Sequence, residues 1–171
     1  MPVNLKIKIK ERGAVPRGFK KYYSRASKTA WHESGVYYHT QLRDKRFTRE
    51  HARKAGYKLR QGEQPGITRN KFFGSYMGRK LRRFHHQRPL EFSGETRRAV
   101  QSARITSTSS GSRIAYPGAR KFNFRASPNA PNMAAEFRTV LPEEIREIAG
   151  HYDKTLEDRL QAEKESSTRN I

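Results

Sequence analysis

The sequence contains no cysteine, which excludes a disulfide framework, a thiolate zinc site and a cysteine nucleophile. It also lacks any run that approaches the roughly 18 apolar residues of a membrane-spanning helix. The first ten residues, MPVNLKIKIK, alternate apolar and polar positions and therefore do not resemble a secretory signal. These absences predict a protein made in a cytoplasm that does not insert into a membrane.

Apolar residues are scarce. Hydrophobic residues make up 33% of the 171 residues, whereas ordinary globular domains contain about 45–50%. Aromatic residues nevertheless make up 11%, and disordered chains are poor in such residues. We therefore expect a strand or arm over 1–18, a single domain with a small core over 19–165, and a frayed tail at 166–171.

Acidic residues are rare in the first three-quarters of the chain. Residues 1–133 hold 31 Lys and Arg but seven Asp and Glu, a net charge of +24, whereas residues 134–165 carry −4. A chain polarised in this way is expected to lie against a polyanion with its basic part and against protein with its acidic part. Nucleic acid is the commonest such polyanion, and its phosphates provide affinity without sequence readout.

Two stretches predict β-structure. Residues 3–10 alternate apolar and polar positions, which indicates a strand with one basic face. Arg104–Thr108 and Ser112–Tyr116 flank Ser109-Ser110-Gly111, which predicts a β-hairpin with a three-residue loop.

Two longer stretches predict helices. Apolar residues recur at spacings of three and four from Phe19 to about Arg43. A second stripe of this kind follows Pro142, a residue suited to a first helical turn, and predicts an amphipathic helix over 142–164. The predicted fold is α+β: a small antiparallel sheet packed by a long N-terminal helix and a C-terminal amphipathic helix, with a basic extended arm and loop.

A basic insertion occupies about 47–88. Within it, Thr48 is a predicted N-cap for a short helix, and 58–71, rich in Gly, Gln and charge, is a predicted loop. After it, Ser93 is expected to cap a short helix over about 95–103.

The segment FFGSYMGRKLRRFHHQR, residues 72–88, interleaves aromatic and basic side chains. Arginine binds phosphate bidentately, and aromatic rings stack on bases where single strands are available. The same basic side chains could instead meet acidic surfaces of neighbouring subunits. The residues predicted to lie near phosphates are Arg79, Lys80, Arg82, Arg83, Arg88, Arg97 and Arg98.

No pattern indicates catalysis or a bound metal. His85 and His86 are adjacent, so their side chains point in different directions, and no companion at a chelating spacing is near. Glu143 and Glu144 resemble a carboxylate pair, but the dipole at a helix start explains them better. We therefore predict no catalytic residue, no metal ligand and no cofactor.

The apolar stripe of the 142–164 helix is predicted to form the contact between subunits. The acidic face of this helix would pair with the basic face of the next subunit. The stripe consists of Ile145, Ile148, Tyr152, Leu156 and Leu160.

The order of elements in the second half resembles that of the phage tail-completion, or neck, family, the lambdoid-type minor tail components at the head–tail junction. Members place a turn like Pro89–Arg97 before a short helix, followed by a hairpin, here Arg104–Tyr116. An extended Pro- and aromatic-bearing segment, Phe122–Met133, then precedes a long amphipathic helix, Leu141–Leu160. The Phe19–Arg43 helix would correspond to the first long helix of the family. The chain departs from the family in its basic insertion.

The resemblance implies a structural virion protein with no catalytic residues. It would assemble with copies of itself as a ring around the path of the double-stranded DNA genome. The ring would contact portal or adaptor, head-closure or tail-terminator subunits.

Two alternatives remain open at the level of sequence. A ribosomal or other RNA-associated structural protein would share the high positive charge, the lack of cysteine and the basic extensions. A nuclease would need a carboxylate cluster for Mg²⁺. The seven acidic residues of the basic part are scattered between Glu11 and Glu95, so a nuclease ranks last.

Overall fold

The computed structural model describes residues 3–7, 20–123 and 129–168, with side chains over 20–123 and 129–162. Helices and strands are both present, so the predicted α+β class is confirmed. In chain order, the described elements are β1 (Val3–Ile7), α1 (Lys20–Tyr37), a π-helical turn (Tyr38–Leu42), a 3-10 turn (Arg43–Phe47), α2 (Arg49–Lys54), α3 (Arg69–Gly74), α4 (Tyr76–Phe84), α5 (Glu95–Ala99), β2 (Arg104–Thr108), β3 (Gly111–Tyr116), a second 3-10 turn (Ala119–Asn123), α6 (Met133–Arg138) and α7 (Pro142–Thr168).

The chain divides into two compact units. Unit A comprises Asn4–Arg43, Ala103–Ala115 and Val140–Ile171, and unit B comprises Met1–Val3, Asp44–Ser102 and Tyr116–Thr139. Of the predicted arm, residues 8–18 lie outside the described residues.

In unit A the two long helices pack against each other. The rings of Trp31 on α1 and Tyr152 on α7 lie 4.6 Å apart between centroids, and Leu156 packs against the same cluster. The Ser27 hydroxyl donates to the carbonyl of Ser109 at 2.7 Å and lies 2.8 Å from the Tyr152 hydroxyl. These hydrogen bonds satisfy polar groups that burial would otherwise penalise.

Helix α1 also lies against the hairpin of β2 and β3. The helix comes close to the hairpin at Gly35, where an added Cβ atom would lie 2.6 Å from Ser112 Oγ and 2.9 Å from a methyl group of Ile105. A glycine is needed at this position of α1 because any side chain would prevent so close a contact.

The sheet contains β1, β3 and β2 in that order. Ile105 pairs with Ile114 in the antiparallel ladder of β2 and β3. Thr108 pairs with Gly111, which leaves a two-residue turn. The predicted three-residue loop is wrong because β3 begins at Gly111 and includes its backbone in the ladder.

Helix α7 begins at Pro142 as predicted, and it extends to Thr168, past the predicted end at 164 and into the predicted tail. The Glu144 carboxylate accepts a hydrogen bond from the Leu141 backbone N–H at 2.9 Å. This contact satisfies a backbone donor at the helix start and fixes where the helix begins.

Unit B has an aromatic cluster around Phe137. Its ring lies 4.8 Å from that of Phe122, 5.4 Å from that of Tyr116 and 6.1 Å from that of Phe47. Phe122 lies on a 3-10 turn and Phe137 on α6. The sequence predicted an extended segment over Phe122–Met133. Phe122 lies instead in a 3-10 turn, whereas α6 begins at Met133, where that segment was predicted to end.

The predictions for the short helices of unit B have mixed outcomes. The Thr48 hydroxyl accepts from the His51 N–H at 3.2 Å, so the predicted N-cap of α2 is confirmed. Residues 69–71 of the predicted loop belong instead to α3. The N-cap of α5 is Gly94, with φ of 83°, and no side chain caps the helix, so the prediction of Ser93 is wrong.

Candidate nucleic-acid interface

Helix α4 is set in place by contacts at both of its ends. The Ser75 hydroxyl accepts from the Gly78 N–H at 3.2 Å and caps the start. His85, with φ of 55°, ends the helix, and its N–H donates to the Leu81 carbonyl at 2.9 Å. At Gly78 an added Cβ atom would lie 2.1 Å from the backbone oxygen of Phe72, so this glycine lets α4 approach α3 closely.

The two faces of α4 differ in what they bury. Met77 and Lys80, three residues apart, are buried, whereas Arg79, Arg82 and Arg83 are exposed on the opposite face. Within the described residues, none of these three arginines forms an ion pair with a carboxylate. No carboxylate of that part of the chain therefore neutralises their charge.

Two of the exposed arginines have local contacts that orient them. The Arg82 guanidinium donates to the carbonyl of Phe73 at 2.9 Å. The Arg83 guanidinium carbon lies 5.4 Å from the centroid of the Phe84 ring, within the range of a cation–π interaction. Such contacts hold Arg82 against α3 and Arg83 against α4 while leaving donors free for an anion, because a guanidinium has five N–H groups.

These three arginines line an open depression together with Phe92, with a volume of about 610 Å³. Phe92 is 37% exposed. It stacks on Tyr76 with 5.3 Å between ring centroids and meets Phe84 edge-on at 5.0 Å. The depression thus combines three cations with a flat apolar surface.

Lys80, predicted to lie near phosphates, does not reach this surface. It is 1% exposed, and its Nζ atom donates to the carbonyl of Arg88. Burial lowers the pKa of Lys80 to about 8, against the opposing attraction of Glu63 and Glu91. The prediction for Lys80 is wrong because position 80 falls on the buried side of α4, one turn after Met77.

Arg88 lies beside a buried carboxylate. One of its guanidinium nitrogens is 3.8 Å from Oε2 of Glu91, and Nε2 of His86 is 3.9 Å from Oε1 of the same residue. Burial lowers the pKa of His86, and the charge of Glu91 opposes that shift. The Arg88 side chain is half exposed, so part of its charge serves this internal pair.

Arg97 and Arg98 both lie on α5. The Arg97 guanidinium is 3.0 Å from a carboxylate oxygen of Asp44, so its charge is partly satisfied within unit B. Arg98 is exposed. The predicted residues whose charge stays most available are therefore Arg79, Arg82, Arg83 and Arg98.

The five α7 residues predicted to form the subunit interface differ in how far they are buried. Ile148 and Tyr152 are 1% and 2% exposed, and Leu156 and Leu160 are half-buried. Ile148 and Tyr152 are buried within the chain itself, so the prediction that these two contact another subunit is wrong. Of the stripe, Ile145 is exposed.

Sequence reasoning missed two features of unit B. Phe92 was assigned only to a turn, although its position shortly after the basic-aromatic segment is a signal that could have marked it. The second feature is a cavity of about 360 Å³ whose lining includes Arg49, Arg53, Tyr57 and Phe72. Nearby, the Arg60 guanidinium forms a bidentate pair with the Glu136 carboxylate, a long-range contact that no local pattern reveals.

Over the described part of the chain, no group of three or more His, Cys, Asp or Glu side chains is placed to hold a metal ion. None of the described helices combines the length and apolarity needed to cross a membrane. No protein-family model, curated protein or solved structure matches this chain.

Proposed function

We propose that this chain is a non-catalytic structural protein that contacts the phosphates of a nucleic acid through Arg79, Arg82 and Arg83. One observation carries the proposal: three guanidinium groups are exposed on one face of a single helix and none is paired with a carboxylate in the described chain. Exposed cations without internal partners raise the local concentration of a polyanion.

The spacing of the three arginines suits a phosphate backbone. Four residues of α-helix, from Arg79 to Arg83, span about 6 Å along the axis. One strand of duplex DNA carries a phosphate about every 3.4 Å along the axis of the double helix. The arginines can therefore reach successive phosphates of one strand without reading bases.

The setting that we propose is the head–tail junction of a tailed phage, with the chain as one subunit of a ring around double-stranded DNA. The order of elements supports this setting: a long α1, a hairpin of β2 and β3, and a long α7 follow one another as the family resemblance implies. Portal or adaptor, head-closure or tail-terminator subunits would be the neighbours in the virion.

The contact between copies, in this proposal, uses the exposed face of α7 and not its buried stripe. Ile145 is 54% exposed, and Asp153, Glu157 and Asp158 are exposed acidic residues on the same helix. These carboxylates would pair with exposed basic side chains of another copy. Complementarity of this kind sets orientation and partner choice more than affinity.

Light scattering coupled to size-exclusion chromatography tests the proposal. The full chain is run at low ionic strength with and without a blunt DNA duplex. The proposal expects self-association and a comigrating complex with the duplex that dissociates as salt rises. A monomer that does not bind the duplex at low salt would refute it.

An RNA-associated structural protein is the second candidate. The observation that favours it is the exposed Phe92 beside the arginines, because proteins that recognise RNA in a sequence-specific manner mostly bind unpaired bases. A stem-loop RNA that displaces the duplex from the protein at equal nucleotide concentration would favour this candidate.

A further inference from the structure

Phe92 is exposed because the turn around it is fixed, and not because the segment lacks contacts. Leu90, immediately before the buried Glu91, is 3% exposed and has a φ of 55°, an uncommon conformation for a non-glycine residue. The Thr96 hydroxyl donates to the Leu90 carbonyl at 2.7 Å in a buried position. The turn is thus anchored on one side, which leaves Phe92 directed to the surface.

The Phe92 ring is also held in one orientation. Tyr76 stacks on it and Phe84 meets it edge-on, so two aromatic side chains of α4 support the ring from within unit B. A ring that is already immobilised loses little conformational entropy when a flat ligand stacks on it. Phe92 is 37% exposed and lines the depression together with Arg79, Arg82 and Arg83.

We propose that this depression binds an unpaired base of a nucleic-acid strand, stacked on Phe92, with the phosphates beside that base held by Arg79, Arg82 and Arg83. The inference rests on the proposed function, because it assigns a base-stacking role to the same surface that contacts phosphates. Every base has a π-face, so the site has no sequence preference.

This site distinguishes an unpaired strand from an intact duplex. Bases inside a duplex are stacked on their neighbours and present only their edges in the grooves. A blunt duplex therefore meets the arginines but not Phe92. A single-stranded overhang, a gap or a loop of RNA supplies a free base and makes both contacts.

A tryptophan at position 92 reports stacking directly. Trp31, the one native tryptophan, is 1% exposed, so its emission provides a constant background. The variant Phe92→Trp is titrated with oligothymidylate or oligouridylate of about 12 nucleotides, a length within the range of a single-strand site. Tyr22→Trp is the matched control, because Tyr22 is 45% exposed on α1 in unit A.

We expect both oligonucleotides to quench the emission of Phe92→Trp and to leave that of Tyr22→Trp near its starting value. Tighter quenching by oligouridylate would identify RNA as the source of the base, and tighter quenching by oligothymidylate would identify DNA. Binding of both oligonucleotides without quenching would overturn the inference. Equal quenching by a polyglutamate peptide would overturn it as well, because acidic chains without bases would then suffice.

Affinity provides a second measurement. Phe92→Leu keeps an apolar side chain against Tyr76 and Phe84 but removes the stacking surface, whereas Phe92→Ala also removes the packing. Both variants should bind single strands at least about five-fold more weakly, since one stacked base contributes on this scale. Binding of a blunt duplex should not change.

The outcome separates the inference from the function on which it rests. If Phe92→Leu binds single strands as the parent does while the duplex is still bound, the stacking role fails and phosphate contact stands. If neither nucleic acid binds at low salt, the proposed function fails together with the inference.

Discussion

Removing the three exposed charges of α4 should weaken duplex binding by an amount that depends on salt. The variant Arg79→Ala/Arg82→Ala/Arg83→Ala removes three guanidinium groups that are exposed and not paired with carboxylates in the described chain. Each phosphate contact contributes about 0.9 to the slope of log Kobs against log salt, because binding releases condensed counterions. Three contacts therefore correspond to a slope change of about 2.7.

The contacts that the arginines already make within unit B set the lower bound of the expected slope change. The Arg82 guanidinium already donates to the carbonyl of Phe73, so its contribution to phosphate binding is the smallest of the three. With two full contacts the slope change is about 1.8. At about 0.1 M salt these slopes correspond to affinity losses of about 60-fold to 500-fold, and the two proteins should converge near 1 M salt.

Fluorescence anisotropy of a labelled blunt duplex, measured at several salt concentrations, gives both slopes. The control is Arg146→Ala/Lys154→Ala/Arg159→Ala, which removes three exposed bases from α7, where acidic side chains surround them. Both triple variants lower the net charge equally. Equal losses in both variants would mean that total charge drives binding. Equal slopes of log Kobs against log salt for the parent and the α4 variant would refute phosphate contact at α4.

Three further predictions concern the stability of the surfaces that present the site. Burial lowers the pKa of Lys80 from 10.5 in the unfolded chain to about 8. Between these two pH values the unfolded state binds more protons than the folded state, so the free energy of unfolding should rise with pH. In urea unfolding, the free energy of unfolding of Lys80→Met should depend less on pH over the same range. Gly78→Ala should destabilise by about 1–3 kcal/mol in thermal unfolding, because the new Cβ would lie 2.1 Å from a backbone oxygen of α3, whereas Gly74→Ala, with open space around it, should leave stability nearly unchanged. Arg60→Met should cost about 2–4 kcal/mol by urea unfolding, because the largely buried Glu136 loses its partner, and a double variant that also replaces Glu136 with Met should recover part of that loss.

The parts of the fold that depend on local pattern were predictable from sequence. The amphipathic spacing of α7, its start at Pro142 and the Thr48 cap of α2 each involve residues within one or two turns of one another. Helix α6 was missed because it has six residues, too few for a periodic pattern. Its position depends on Phe137, whose partners lie far away in sequence.

The sequence predicted which residue types form the candidate site but not which of its side chains face solvent. The sequence marks the basic-aromatic segment, yet it does not show which bases face outward unless a helix is assigned there. With α4 spanning Tyr76–Phe84, the spacing places Lys80 one turn after Met77, on the side of the helix that is buried. Two glycines in the segment concealed this helix, because glycine lowers helix propensity; Gly78 is present for close contact with α3.

The apolar stripe of α7 shows that residues buried within the chain do not identify a surface that binds a partner. An apolar stripe predicts that a helix face is covered, but the pattern is the same whether the cover is the same chain or another one. Here α1 covers Tyr152, so that residue gives no information about a partner. Exposed charge is different, because an arginine without a carboxylate partner in its own chain gains most from an anion outside it. Arg79, Arg82 and Arg83 are therefore the residues that carry the proposed function, and the ring of Phe92 decides whether they bind an unpaired strand or a duplex.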